Sequence, residues 1–172
     1  MNRSISLWQF AGFLFTSAAG VLLHFLYDLS GQNVLVGLFS AVNESIWEHM
    51  KLLFFPMFIF ALIQYIIWGK QYPFFWCAKL AGILLGLLLI PILYYSYTGI
   101  LGVTADWVNI AIFFIASGAS YYAESRLMAA DRTCTLLPQT AFILICFIGV
   151  MFMVFTFFPP EIPLFADPGI NT

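Results

Sequence analysis

The feature that most constrains this chain is how far apart its charges lie. No Asp, Glu, Lys or Arg occurs between Leu80 and Ala105, or between Thr133 and Pro160. Each stretch exceeds the roughly 20 apolar residues that cross a hydrocarbon core. A backbone in hydrocarbon must satisfy its own hydrogen bonds, and a single apolar run does so as a helix. Overall 63% of residues are hydrophobic and 8% charged, against about a quarter charged in a soluble domain. The chain is therefore expected to be all-α, a polytopic transmembrane bundle forming a single integral membrane domain over residues 1–172, with no separate soluble domain. Its direct partner is the lipid bilayer. A formal charge of -2 and the lack of any Lys/Arg run exclude nucleic acid as a partner class. A membrane-protein partner or a homo-oligomer stays open.

Five spanning helices are expected, at about 7–29, 42–68, 73–97, 105–126 and 136–158. A short interfacial helix falls at about 33–41. The tail 159–172 should be extended, because Pro159, Pro160, Pro163 and Pro168 crowd its first ten residues. Ser17-Ala18-Ala19 has the composition of a cleavage site, but the apolar run continues through Val21-Leu22-Leu23, so the first helix is read as uncleaved. Pro56 should kink the second span. Gly12, Thr16, Gly20, His24 and Asp28 recur every fourth residue, and Ala78, Gly82 and Gly86 form a second small-residue ridge, both suited to close helix packing. Cys77, Cys134 and Cys146 show neither a paired framework nor a zinc-ligand spacing and are read as small core residues.

With five spans, Arg3, Lys70, Lys79, Arg126 and Arg132 fall on one side and Lys51 alone on the other. That asymmetry places the N-terminus inside and the C-terminus outside. The His24/Asp28 end, residues 43–51, the loop from Tyr94 to Asp106 and the proline tail then gather at the extracytoplasmic face.

Within this apolar chain one stretch stands apart, Asn43-Glu44-Ser45-Ile46-Trp47-Glu48-His49-Met50-Lys51. Ionisable side chains in a membrane segment are costly and mark functional sites when they face protein or water. If the whole stretch is helical, Glu44, Glu48 and Lys51 share a face within about 60°. The expected site comprises His24, Asp28, Asn43, Glu44, Glu48, His49 and Lys51.

The same motif, together with His24-x-x-x-Asp28 and the tail Pro159-Pro160-Glu161-Ile162-Pro163-Leu164-Phe165-Ala166-Asp167-Pro168, resembles a small bacterial integral-membrane family catalogued as a domain of unknown function and found mainly in Firmicutes-type bacteria. The resemblance covers nearly the whole chain. It implies a multi-pass protein of the bacterial cytoplasmic membrane and carries no activity. His24-x-x-x-Asp28 also resembles one element of membrane CAAX-type proteases, and the Glu/His/Asp set resembles ceramidase-like hydrolases. The paired-glutamate-plus-arginine motif of the former and the His-x-x-x-His motif of the latter are absent, so neither activity is carried over.

Three roles fit these residues. The first is binding, or helping to transport, a small polar molecule or ion, with Glu44 and Glu48 meeting a cationic group. The second is a divalent-metal hydrolase in which His24, Asp28, Glu44 and His49 hold zinc or a similar ion and Glu48 is the general base. The third is structural or accessory, with Glu44 or Glu48 paired to Lys51 and His24 hydrogen-bonded to Asp28 or to a backbone carbonyl. Ser45 and His49 lie one turn apart, but without an oxyanion site they do not make a serine hydrolase.

Overall fold

The computed structural model of the chain describes residues 3–130 and 136–167. Arg132, Cys134 and the last part of the tail, on which the charge, cysteine and tail readings partly drew, lie outside the described residues. Among those described, all regular structure is helical: α1 Arg3–Leu29, α2 Val34–Gly37, α3 Ile46–Ile67, α4 Phe75–Leu101, α5 Asp106–Ala129 and α6 Pro138–Phe157, with single 3-10 turns at Gly69–Gln71 and Pro163–Phe165.

Helix α3 is the centre of the bundle. Leu53, Phe54 and Ala61 are fully buried, and Pro56 sits inside a helix that runs unbroken past it. Helices α1, α4 and α6 pack around α3, and α5 lies along α4 and α1. The outward residues of α1 and α6, such as Phe10, Leu22, Ile143 and Phe147, are large, apolar and exposed, as lipid-facing side chains are.

Four helices, α1, α3, α4 and α6, are long and apolar enough to cross a membrane. Helix α5 falls outside that group although its 24 residues reach about 36 Å at 1.5 Å per residue. The reason is a polar stripe: Asp106, Asn109, Ser117, Ser120 and Glu124 fall within about 60° of one another's mean direction, and Ser117, Ser120 and Glu124 are buried against the neighbouring helices. Mean hydropathy counts such inward polar groups as if they faced lipid. The small-residue ridge of α4 makes the fit: a methyl group at Gly82 would run into the Glu124 side chain, and one at Gly86 into Ser120 and Leu53.

Two readings are corrected. Cys77 is disulfide-bonded, whereas Cys146 is free; sequence spacing is blind to pairs that only the tertiary fold brings together. The third helix begins at Ile46, not near Val42, because Ser45 adopts an extended backbone and caps it, its Oγ accepting from the Glu48 N–H at 3.3 Å.

Candidate functional site

That cap divides the charged motif in two. Residues 43–45 are not helical, so Glu44 does not share a helical face with Glu48 and Lys51. Asn43 Oδ1 accepts from the Ser45 N–H at 3.0 Å, which shapes the turn into the cap. From this turn Glu44 points one way and Glu48 another.

Glu48 and Lys51 form a buried pair, 2.5 Å apart, with side chains 2% and 0% exposed. Every partner is supplied: Lys51 also donates to the Gly37 carbonyl (2.8 Å) and to Thr156 Oγ1 (2.9 Å), while Glu48 accepts from the Val42 N–H (3.1 Å) and Thr156 (3.0 Å). The pair thus fastens α3 to α2 and to α6, and neither residue lines the cavity described below. Trp47 projects beside it, 4.6 Å from Phe165 and 4.5 Å from Phe152 between ring centres. The proline tail therefore docks on Trp47, and its described residues do not line the cavity below.

Glu44 meets the two histidines. Its carboxylate lies 3.7 Å from His24 Nε2 and 3.6 Å from His49 Nε2, and one ligand atom from each of the three residues falls within 4.8 Å of the others. His49 Nδ1 lies 2.9 Å from the Ser45 carbonyl. A carbonyl only accepts, so Nδ1 carries a proton and donates it. Nε2 is then either a bare lone pair facing a carboxylate, which is repulsive, or a protonated nitrogen. The arrangement asks for a positive charge between the imidazoles and the carboxylate, in the form of a proton or a metal ion. An imidazole held by Nδ1–H to a carbonyl, with Nε2 free, is the usual second-shell pattern of a metal ligand. A tetrahedral zinc with bonds of 2.0–2.1 Å separates its ligand atoms by about 3.3 Å. Here the two histidines approach different oxygens of Glu44 and one atom from each residue lies within 4.8 Å of the others, so the three side chains would draw together around an ion.

The end of α1 that carries His24 is held by a contact that no sequence pattern singled out. Buried Ser40 accepts from the Tyr27 N–H at 3.0 Å and donates to the Leu23 carbonyl, clamping the last turns of α1 to the connection that leads to Glu44. Asp28 is not part of this group. Asp28 lies one turn beyond His24, about 6 Å further along the axis, and is exposed in the final turn of α1.

The three residues lie on the wall of a cavity of about 640 Å³ between α1, α3, α4 and α5. Its polar lining also includes Tyr94, Thr104, Asp106 and Asn109. Tyr97 braces this wall by donating to Asn109 Oδ1 (2.6 Å) and accepting from the Ala105 N–H (3.3 Å). None of these residues entered the expected site, since Asp106 and Asn109 look like an ordinary helix start. Glu44 is 60% exposed on its side chain and the histidines 28% and 25%, so the set is open on one side.

A second buried pair was not anticipated. Lys79 Nζ lies 2.5 Å from Glu124 Oε2, each side chain 1% exposed. Lys79 also reaches Gln9 Oε1 (3.4 Å), which accepts from Gln64 as well (3.3 Å). Thr16 and Tyr121 share a hydrogen bond of 2.8 Å one level above. Four helices are thereby joined at the end remote from the histidines.

Fold and site together define an all-helical protein built on membrane-length apolar helices, with an open His/His/Glu set in a cavity at one end. The chain belongs to a family of unknown function, DUF6512, whose model matches residues 1–171. No curated protein and no solved structure matches the chain.

Proposed function

We propose that the chain is an integral membrane protein that binds one divalent transition-metal ion, zinc by its donor set, through His24, Glu44 and His49. The observation that carries this is the His49 ring: Nδ1 engaged by the Ser45 carbonyl, Nε2 turned toward the Glu44 carboxylate. Two imidazoles and a carboxylate are a zinc donor set, and three protein ligands leave a fourth position for water or another molecule. Ion binding is thus the favoured form of the first expected role. Hydrolysis remains chemically available through metal-bound water, but Glu48 is engaged by Lys51 and Thr156. Asp106 is the acid on the cavity wall and takes its place as candidate base.

Zinc added to chelator-treated, detergent-purified protein is expected to bind at about one equivalent, and a His24→Ala/His49→Ala variant to bind none. Wild-type protein that stays folded and retains no zinc at neutral pH would contradict the proposal. Ligating imidazoles must be neutral, so binding should weaken on acidification.

In this proposal α5 is the fifth span, its polar stripe turned inward. The membrane is the bacterial cytoplasmic membrane, with the N-terminus inside, the C-terminus outside and the cavity on the extracytoplasmic side, as the cationic residues favour. The Cys77 disulfide pulls the other way, because the cytoplasm keeps thiols reduced. A single cysteine at Glu161, in a chain cleared of native cysteines, should react with an impermeant maleimide in intact cells. Protection there would reverse the orientation.

A further inference from the structure

We infer that the cavity takes a single-chain membrane amphiphile, entering sideways from the bilayer, with an oxygen-donor head group at the open position of the metal. This rests on the metal reading above and adds the class of ligand.

The cavity has two kinds of opening. A residue that both lines a cavity and is exposed stands at its mouth. At the polar end those residues are Glu44, Thr104 and Asp106. On the flank there are four others: Val21 and Phe25, one turn apart on α1, and Ile110 and Phe114, one turn apart on α5. They are 50%, 57%, 58% and 37% exposed, and all are apolar. They frame the cavity's flank opening between α1 and α5, where Phe113 rests against Gly20, and Val21 lies roughly two turns from the end of α1 at Leu29. A gap framed by apolar side chains on the lipid-facing surface admits molecules from lipid, not ions from water.

Behind the gap the wall changes along its length. Leu52, Ile90 and Phe113 give an apolar interior, whereas His24, Glu44 and His49 with Asn109 give a polar end. A small hydrophilic ligand would leave that apolar interior unfilled, and a plain hydrocarbon would leave the polar end unpaired. An amphiphile matches both. The volume of about 640 Å³ lies within the range of pockets that enclose one ligand of modest size. The metal, once bound, presents a Lewis-acidic position to an ester carbonyl, a carboxylate or a phosphoryl oxygen, the shared chemistry being an oxygen donor.

The test uses the full-length protein in nanodiscs and a long-chain alkyl hydroxamate carrying a diazirine midway along its tail, since hydroxamate oxygens ligate zinc. After illumination, cross-links are located by mass spectrometry, with zinc content measured on the same samples. Zinc-loaded protein should be labelled at Leu52, Ile90 or Phe113 at least about tenfold more than zinc-stripped protein, the equivalent of 1.4 kcal/mol. Val21→Trp, which narrows the gap at an exposed position, should lower this labelling while leaving zinc stoichiometry unchanged. Stoichiometric zinc with labels spread evenly over lipid-facing positions such as Ile66 and Ile143 would overturn the amphiphile and leave the metal standing. Pocket labelling that persists without zinc would overturn the metal-held head group. No zinc in any sample would overturn the metal reading itself.

Discussion

Replacing Lys79 by Met, or Glu124 by Met, is expected to destabilise the protein by about 3–5 kcal/mol, while replacing both together should restore most of the loss. The two side chains touch at 2.5 Å with almost no solvent contact, and removing one leaves the other charged group buried without its counter-ion. Gln9 offers Lys79 only one weak acceptor at 3.4 Å, and the Phe75 and Tyr121 rings, 5.4 and 5.6 Å from Nζ, add a modest attraction. Two methionines fill similar volume without charge. Thermal unfolding in detergent, followed for the two single variants and the double, checks this. Single variants as stable as wild type would mean that the pair does not hold α4 against α5.

The second large effect separates two acids four residues apart. Glu44→Gln should abolish zinc binding with little change in stability, because its side chain is 60% exposed and anchors no helix. Glu48→Gln should do the reverse. Zinc binding is retained, and stability falls by about 3–5 kcal/mol, since Lys51 would lose its counter-ion at a site closed to water. The measurements are zinc stoichiometry by elemental analysis and the melting temperature of each variant. Loss of zinc from both variants, with equal melting temperatures, would mean that the motif acts as one site after all.

The contrast between these acids also shows how much could be read from the chain beforehand. Helical architecture and apolar spans follow from long uncharged runs, because backbone satisfaction in hydrocarbon leaves few alternatives. The division of the motif does not follow. It depends on Ser45 being a cap and not a helical residue, and a Ser-x-x-Glu capping pattern at residues 45–48 was the available signal. With Ser45 as cap, Glu44 leaves the helix and Glu48 turns back toward Val42. Asp28 fell outside the group for a simpler reason, its place one turn further along α1, exposed in the helix's final turn. The Lys79–Glu124 pair was hidden because its members lie 45 positions apart, on segments whose charges looked like span ends. Helix α5 illustrates the same limit, since a stripe of polar residues, three of them buried against neighbouring helices, lowers its mean hydropathy.

The most direct measurement is X-ray absorption at the zinc edge on protein loaded with one equivalent of metal. Two imidazoles and one carboxylate oxygen are expected at about 2.0–2.2 Å, with a remaining light-atom ligand from water, and the imidazole scattering should disappear in the His24→Ala/His49→Ala variant. A spectrum of oxygen ligands alone, a sulfur ligand, or imidazole scattering unchanged in that variant would contradict a metal held between α1 and the start of α3.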